Sequence, residues 1–121
     1  MANHKRLIGK AAEHLAVDFL KKNGYTVLTQ NYATKFGELD IIARHGEYFC
    51  FVEVRSRSQL DFGFPQESLT AKKKQHLKLA ALDFVKKKNL ADAYLRFDMV
   101  CILFDKDQHV ESITLEHDII S

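Results

Sequence analysis

The 121 residues, 46% hydrophobic and 28% charged with one proline and five glycines, have a globular composition and the length of one compact domain, which excludes collagen-like, disordered and low-complexity chains. The longest uninterrupted apolar runs, residues 48–52 and 99–104, fall far short of the roughly 20 residues that span a bilayer. The formal net charge of +2 conceals an asymmetry: residues 1–104 carry 17 Lys and Arg against 11 Asp and Glu, whereas residues 105–121 carry one against five.

Ile8, Ala12, Leu15 and Phe19, supplemented by Ala11, Ala16 and Leu20, recur at helical spacing and predict a first helix over about residues 5–23, stopped by Gly24 as a left-handed cap. Glu13, His14 and Asp18 interrupt what would be the apolar core of a secretory signal, so a cytoplasmic location is expected. Cys50 and Cys101 lie inside apolar runs without paired-ligand spacing, which predicts two buried thiols rather than a disulfide or zinc site.

Aromatic and β-branched enrichment predicts strands over residues 25–32, 39–44 and 48–54, the last two joined by a tight turn at His45-Gly46. Residues 56–69, with Phe62, Gly63, Phe64 and Pro65, read as a loop that could act as a flap. Thr70 is a suitable N-cap for a second helix whose apolar stripe is Leu77, Ala80, Ala81 and Phe84. Residues 72–88 hold seven lysines against Asp83 alone, which suits a polyanion partner and equally suits a solvated helix face. Strands over residues 95–104 and 110–115, linked by a polar turn, complete the order αβββαββ of a mixed α/β layer fold.

The informative segments are Gly37-Glu38-Leu39-Asp40-Ile41-Ile42 and Phe51-Val52-Glu53-Val54-Arg55-Ser56-Arg57, which put charges inside strands that should be buried. Alternation gives Glu53 and Arg55 one face. A two-residue turn at His45-Gly46 pairs Arg44 with Glu47 and sets Asp40 opposite Phe51, with Glu53 its diagonal neighbour on the same face. A three-residue turn would send Asp40 to the other face. Two such carboxylates can hold a divalent cation, and with a basic side chain beside them they suit hydrolysis of a phosphodiester. The competing reading is a structural ion pair of Asp40 with Arg55 or Arg44.

These two segments, with Phe62-Gly63-Phe64-Pro65, Thr70 and its lysines, and Arg96-Phe97-Asp98, resemble the YraN-like family of small uncharacterised bacterial proteins, itself similar to archaeal Holliday junction resolvases of the PD-(D/E)XK superfamily. The resemblance runs from about Gly9 to Phe104. It implies a single restriction endonuclease-like domain over residues 1–121, with an acidic segment from about residue 105, acting on DNA and especially branched DNA with Mg²⁺ or Mn²⁺. Asp40 and Glu53 would be the metal ligands, Arg55 would stand where the nuclease motif has lysine, and Glu13 would complete the catalytic set from the first helix. Gln75 and Asp98 are weaker candidates. Arg57, Lys72, Lys73, Lys74 and Lys78 would contact the nucleic acid, and a homodimer would match a substrate with two strands to cut.

Arg55 is the departure, because a guanidinium does not deprotonate at usable pH and cannot be a general base. Lys10 or Lys35 could reach the site in its stead. A second reading therefore stays open, in which the chain keeps the nuclease fold as a nucleic-acid-binding or partner-binding module without chemistry. A third gives the acidic C-terminal segment the task of occupying the basic groove. The six histidines lack metal-ligand spacing, His45 being explained by its turn, and no glycine-rich phosphate loop or Ser/His/Asp pattern is present.

Overall fold

The computed structural model describes residues 3–58 and 69–120. Its elements are α1 (Asn3–Lys22), β1 (Thr26–Thr34), β2 (Gly37–His45), β3 (Tyr48–Ser58), α2 (Ala71–Lys87), β4 (Tyr94–Phe104) and β5 (Val110–Glu116). The strands form one sheet in the order β1-β2-β3-β4-β5, antiparallel throughout except for the parallel pair β3–β4. The αβββαββ order is the one expected, and with a mixed sheet between two helices it has restriction endonuclease-like topology.

Each helix covers one face of the sheet. Ala12, Ala16, Val17 and Leu20 of α1 pack on Ile41, Ala43, Cys50, Val52, Val100 and Ile102. On the other face Leu77, Ala80, Ala81 and Phe84 of α2 pack on Leu39, Ile42 and Phe51. The parallel pair lies inside the sheet, where both faces are covered, and each fully buried aliphatic or aromatic side chain contributes about 1.5–3 kcal/mol. Cys50 and Cys101 are free and buried as expected, and burial pushes their thiols up to about 12 and about 11.

Both helices stop in the same way. Tyr25 N–H donates to Leu20 O at 3.0 Å and Gly24 N–H to Lys21 O at 3.3 Å, with Gly24 at φ +86°. At the end of α2, Leu90 N–H donates to Val85 O at 2.9 Å and Asn89 N–H to Lys86 O at 3.3 Å, with Asn89 at φ +55°. Both are Schellman endings, built on the two residues that best tolerate left-handed backbone. Thr70 is the N-cap of α2, its Oγ1 accepting from Lys73 N–H at 3.1 Å.

Two local expectations need correction. The β2–β3 turn is Gly46-Glu47, not His45-Gly46: His45 faces Tyr48, Arg44 faces Phe49, and Ile42 rather than Asp40 faces Phe51. Gly46 has φ +60° whereas Glu47 has no positive φ, the pattern of a type II′ turn, which needs glycine first. His45 is the last strand residue, stacked on Tyr25 at 4.1 Å between ring centroids. Second, residues 56–58 continue β3 beside Ile102, Leu103 and Phe104 instead of opening a loop; most of the expected flap, residues 59–68 with its Phe-Gly-Phe-Pro segment, lies outside the described residues. The acidic C-terminal segment is, as expected, a polar turn followed by a strand, β5, which pairs with β4 at the edge of the sheet.

Candidate functional site

The alternation of β2 fails at one residue. Leu39 and Ile41 are two apart and should share a face, yet Leu39 packs on the α2 side and Ile41 on the α1 side. The break is at Asp40. Across β1, the pairs Gln30–Ile41 and Tyr32–Leu39 put Asn31 opposite Asp40, and Asn31 is left-handed at φ +52°. On the other side the backbone pairing of β2 with β3 ends at Ile41–Val52, and Asp40 Oδ2 takes over, accepting Val54 N–H at 2.9 Å. The register continued by one residue sets Asp40 directly opposite Glu53. The carboxylate thus wedges between two strands, within reach of side chains from both layers.

From α1 comes Glu13, and from β2 itself Glu38, two residues before Asp40. One carboxylate oxygen of each of the three lies within 4.8 Å of the others. Asn31 stands between them: with its amide oriented to donate, Nδ2 reaches Glu38 Oε1 at 2.9 Å and both Glu13 oxygens at 3.2 Å. Burial raises Glu13, the Asp40 and Glu38 carboxylates raise it further, and Asn31 and Lys10 oppose them. Asp40 is pushed up to about 8, first by burial and then by the hydrogen-bonded Glu53 carboxyl, against the lowering influence of Val54 N–H and Lys73. A cation would relieve this mutual penalty, and an oxygen-only donor set could coordinate a hard divalent ion such as Mg²⁺ or Mn²⁺.

Behind Asp40, Glu53 is 4% exposed and carries two cations: Arg55 NH2 at 3.3 Å from Oε2 and Lys73 Nζ at 3.6 Å from the same oxygen. Arg55 is thus paired with its strand neighbour, and its buried Nε has no acceptor among the described residues. Two depressions meet at Glu38. One is lined by Lys10, Glu13, His14, Gln30, Asn31 and Glu38, the other by Phe36, Gly37, Glu38, Lys73, His76 and Leu77.

The structure therefore brings Glu13, Asp40, Glu53 and Arg55 into one neighbourhood. Lys10 lines the outer depression, and Lys35 instead lies 5.2 Å above the Phe36 ring. Lys72 and Lys78 are exposed on α2, Lys74 is half-buried there, and Arg57 near the end of β3 reaches the Ser56 carbonyl at 3.4 Å. Gln75 is an exposed helix residue. Two participants were missed by the sequence reading. Glu38 had a signal, since it stands at i−2 from Asp40 on one strand; Asn31 had none, because its place depends on the β1–β2 register.

Asp98, a weaker candidate, is fully buried on the α1 side of the sheet, paired with Val52 and so one register position from Glu53, whose side chain is on the α2 side. It accepts from Tyr25 Oη at 2.6 Å, from Arg96 Nε at 2.9 Å and from Asp118 N–H at 3.0 Å, with His117 Nδ1 3.5 Å away. Burial opposes ionisation, but these donors hold its carboxyl below the usual range. With Arg96 also on His45 Nδ1 at 2.7 Å, the network is closed and structural, and it ties the C-terminal segment to β4.

Residues 12–102 match the family model described as "Uncharacterised protein family UPF0102". Similar chains, each named a UPF0102 protein, include one from Pelotomaculum thermopropionicum (38% identical over 117 residues, 97% of this chain and 96% of that one) and one from Caldicellulosiruptor saccharolyticus (42% over 112 residues, 93% and 95%). Another, from Hahella chejuensis, is 46% identical over 93 residues, covering 77% of this chain and 75% of the relative. With coverage this complete and a fold of the expected topology around an acidic cluster, the chain belongs to the UPF0102, or YraN-like, family, which is related to the broader PD-(D/E)XK-like superfamily.

Proposed function

We propose that this protein is a divalent-cation-dependent endonuclease acting on DNA, with Asp40 as the central metal ligand, Glu13 and Glu38 beside it, and Glu53 behind. The observation that carries the reading is the convergence of three carboxylate oxygens within 4.8 Å at a point where Asp40 is prised between strands and Glu38 is exposed. A Mg²⁺ or Mn²⁺ ion held there supplies charge neutralisation at a phosphodiester and acidifies a water. The chain's own contribution is placement: Val54 N–H fixes the Asp40 carboxylate, Asn31 holds Glu13 and Glu38 together, and Arg55 fixes Glu53. Arg57, Lys72, Lys74 and Lys78 supply cations for the nucleic-acid backbone on α2 and β3.

Branched DNA is the substrate to examine first, because the resemblance reaches junction resolvases. The second reading, a nucleic-acid-binding module without chemistry, is favoured by one observation, the engagement of Arg55 with Glu53. Calorimetric titration of Mn²⁺ into wild type and Asp40→Ala, followed by incubation with branched, flapped, single-stranded and duplex DNA, separates them. Metal binding lost in the variant, together with metal-dependent cleavage by the wild type, supports the endonuclease. DNA affinity without metal binding sinks it and leaves the module.

A further inference from the structure

The position after Glu53 where the nuclease motif has lysine is occupied by Arg55, whose guanidinium pairs with Glu53 Oε2 at 3.3 Å. A second cation, from α2, approaches the same oxygen. Lys73, in the first turn of α2, sets Nζ 3.6 Å from Glu53 Oε2 while its side chain stays 40% exposed. It also lines a depression together with Glu38, one of the three clustered carboxylates, and its charge bears on Asp40. One ammonium therefore pairs with Glu53, shares a depression with Glu38, bears electrostatically on Asp40 and stays partly open to solvent.

The placement runs against local preference. Lys72, Lys73 and Lys74 stand consecutively in a helical first turn that holds no acidic residue, where the helix dipole disfavours cations. Sequences break such rules where a site requires it. Lys72 is exposed, whereas Lys73, whose backbone N–H donates to the Thr70 cap, brings its side chain to Glu53.

We infer that Lys73 is the ammonium of the reacting centre, a catalytic residue delivered from α2 in place of the lysine missing at position 55; the inference rests on the endonuclease reading. In the hydrolysis, a water oxygen bonds to phosphorus, the bond from phosphorus to one sugar oxygen breaks, the water gives up a proton to solvent and the leaving oxygen takes one. Lys73 neither gains nor loses an atom. At 3.6 Å from Glu53 Oε2 its ammonium is ion-paired there, which leaves N–H donors for the phosphoryl oxygens, whose negative charge grows as the new bond forms, and an ammonium placed for that charge accelerates the step.

The test compares wild type, Lys73→Met, Lys73→Arg and, as a control from the last turn of α2, Lys86→Met. Three quantities are measured: Mn²⁺ affinity by calorimetry, DNA affinity with Ca²⁺ in place of Mg²⁺, and the single-turnover cleavage rate. Lys73→Met should lower the rate by about 100-fold or more while Mn²⁺ and DNA affinities stay within about 3-fold, with Lys73→Arg regaining part of the rate and Lys86→Met matching wild type. A Lys73→Met rate within about 3-fold of wild type overturns the inference and leaves the endonuclease reading intact. A loss of rate matched by an equal loss of Mn²⁺ affinity also overturns it, because Lys73 would then act only by holding Glu53. A wild type that binds no Mn²⁺ or cleaves no DNA overturns both.

Discussion

Asn31 and Asp40 face one another across β1 and β2 at the point where β2 changes the face it buries. Asn31 is left-handed at φ +52°, a conformation that asparagine tolerates at little cost, and the broken alternation frees Asp40 to point between strands. Backbone geometry at one residue and the position of a carboxylate at the other are thus one feature.

Asn31→Gly and Asn31→Ala separate the two contributions. Glycine keeps the left-handed backbone and removes the amide; alanine removes the amide and adds a steric cost of about 1–2 kcal/mol. Chemical denaturation should therefore find Asn31→Ala the less stable by roughly that amount. In both, the loss of the donor between Glu13 and Glu38 should raise the pH at which Mn²⁺ binds, since Asn31 holds Glu13 down.

Asp40→Asn should stabilise the metal-free protein. The folded pKa of about 8 lies above the unfolded value of 3.8, so between these pH values the native state binds more protons and stability falls as pH rises. The asparagine escapes that penalty while its side-chain oxygen still accepts from Val54 N–H. Its advantage is absent below pH ~4, grows to pH ~8 and amounts to about 1–3 kcal/mol above that, after allowance for the coupling to Glu53. Mn²⁺ should reverse the order by raising the Tm of wild type and not that of Asp40→Asn. A variant less stable than wild type at pH 9 without metal would refute this account of Asp40.

Much of this arrangement was legible because it is local or depends on parity alone. The helices follow from periodicity and caps, and Asp40 and Glu53 were assigned one neighbourhood although the turn was misplaced. Moving the turn from His45-Gly46 to Gly46-Glu47 shifts β3 by two residues against β2, and a shift of two preserves the face. What failed was long-range. The left-handed Asn31 and the reach of Lys73 to Glu53 each depend on how distant elements come together, and periodicity carries no trace of that.

On the α1 face of the sheet, Asp98 is depressed by Arg96 and Tyr25, so its contribution to stability is present above the unfolded value of 3.8 and is lost as pH falls through the lower folded one. Tyr25→Phe removes a hydrogen bond to a buried charge and should cost about 1.5–3 kcal/mol at pH 7. Asp98→Ala leaves Arg96, 14% exposed, without its counter-charge, and should cost about 3–5 kcal/mol. Both penalties, read by urea denaturation, should shrink below pH ~4 as the wild-type carboxylate protonates. Metal affinity at Asp40 should be unchanged in both, which separates the structural network from the candidate site.

The lysines of α2 have two fates, and salt dependence distinguishes them. Lys87 is paired with Asp83 at 3.0 Å and lies at the C-terminal end, whereas Lys72 and Lys78 are exposed nearer the carboxylates. A lysine that neutralises a phosphate releases counterions from the DNA. Replacing Lys72, Lys74 or Lys78 by methionine should therefore weaken DNA binding about equally on all sequences and reduce the slope of log K against log salt by about 0.9 for each phosphate left without its lysine. Lys87→Met should leave that slope unchanged. Equal slopes for all four variants in fluorescence anisotropy titrations would mean that the lysine cluster is a solvated helix face, and DNA would then have to approach the carboxylates over Lys10 and α1.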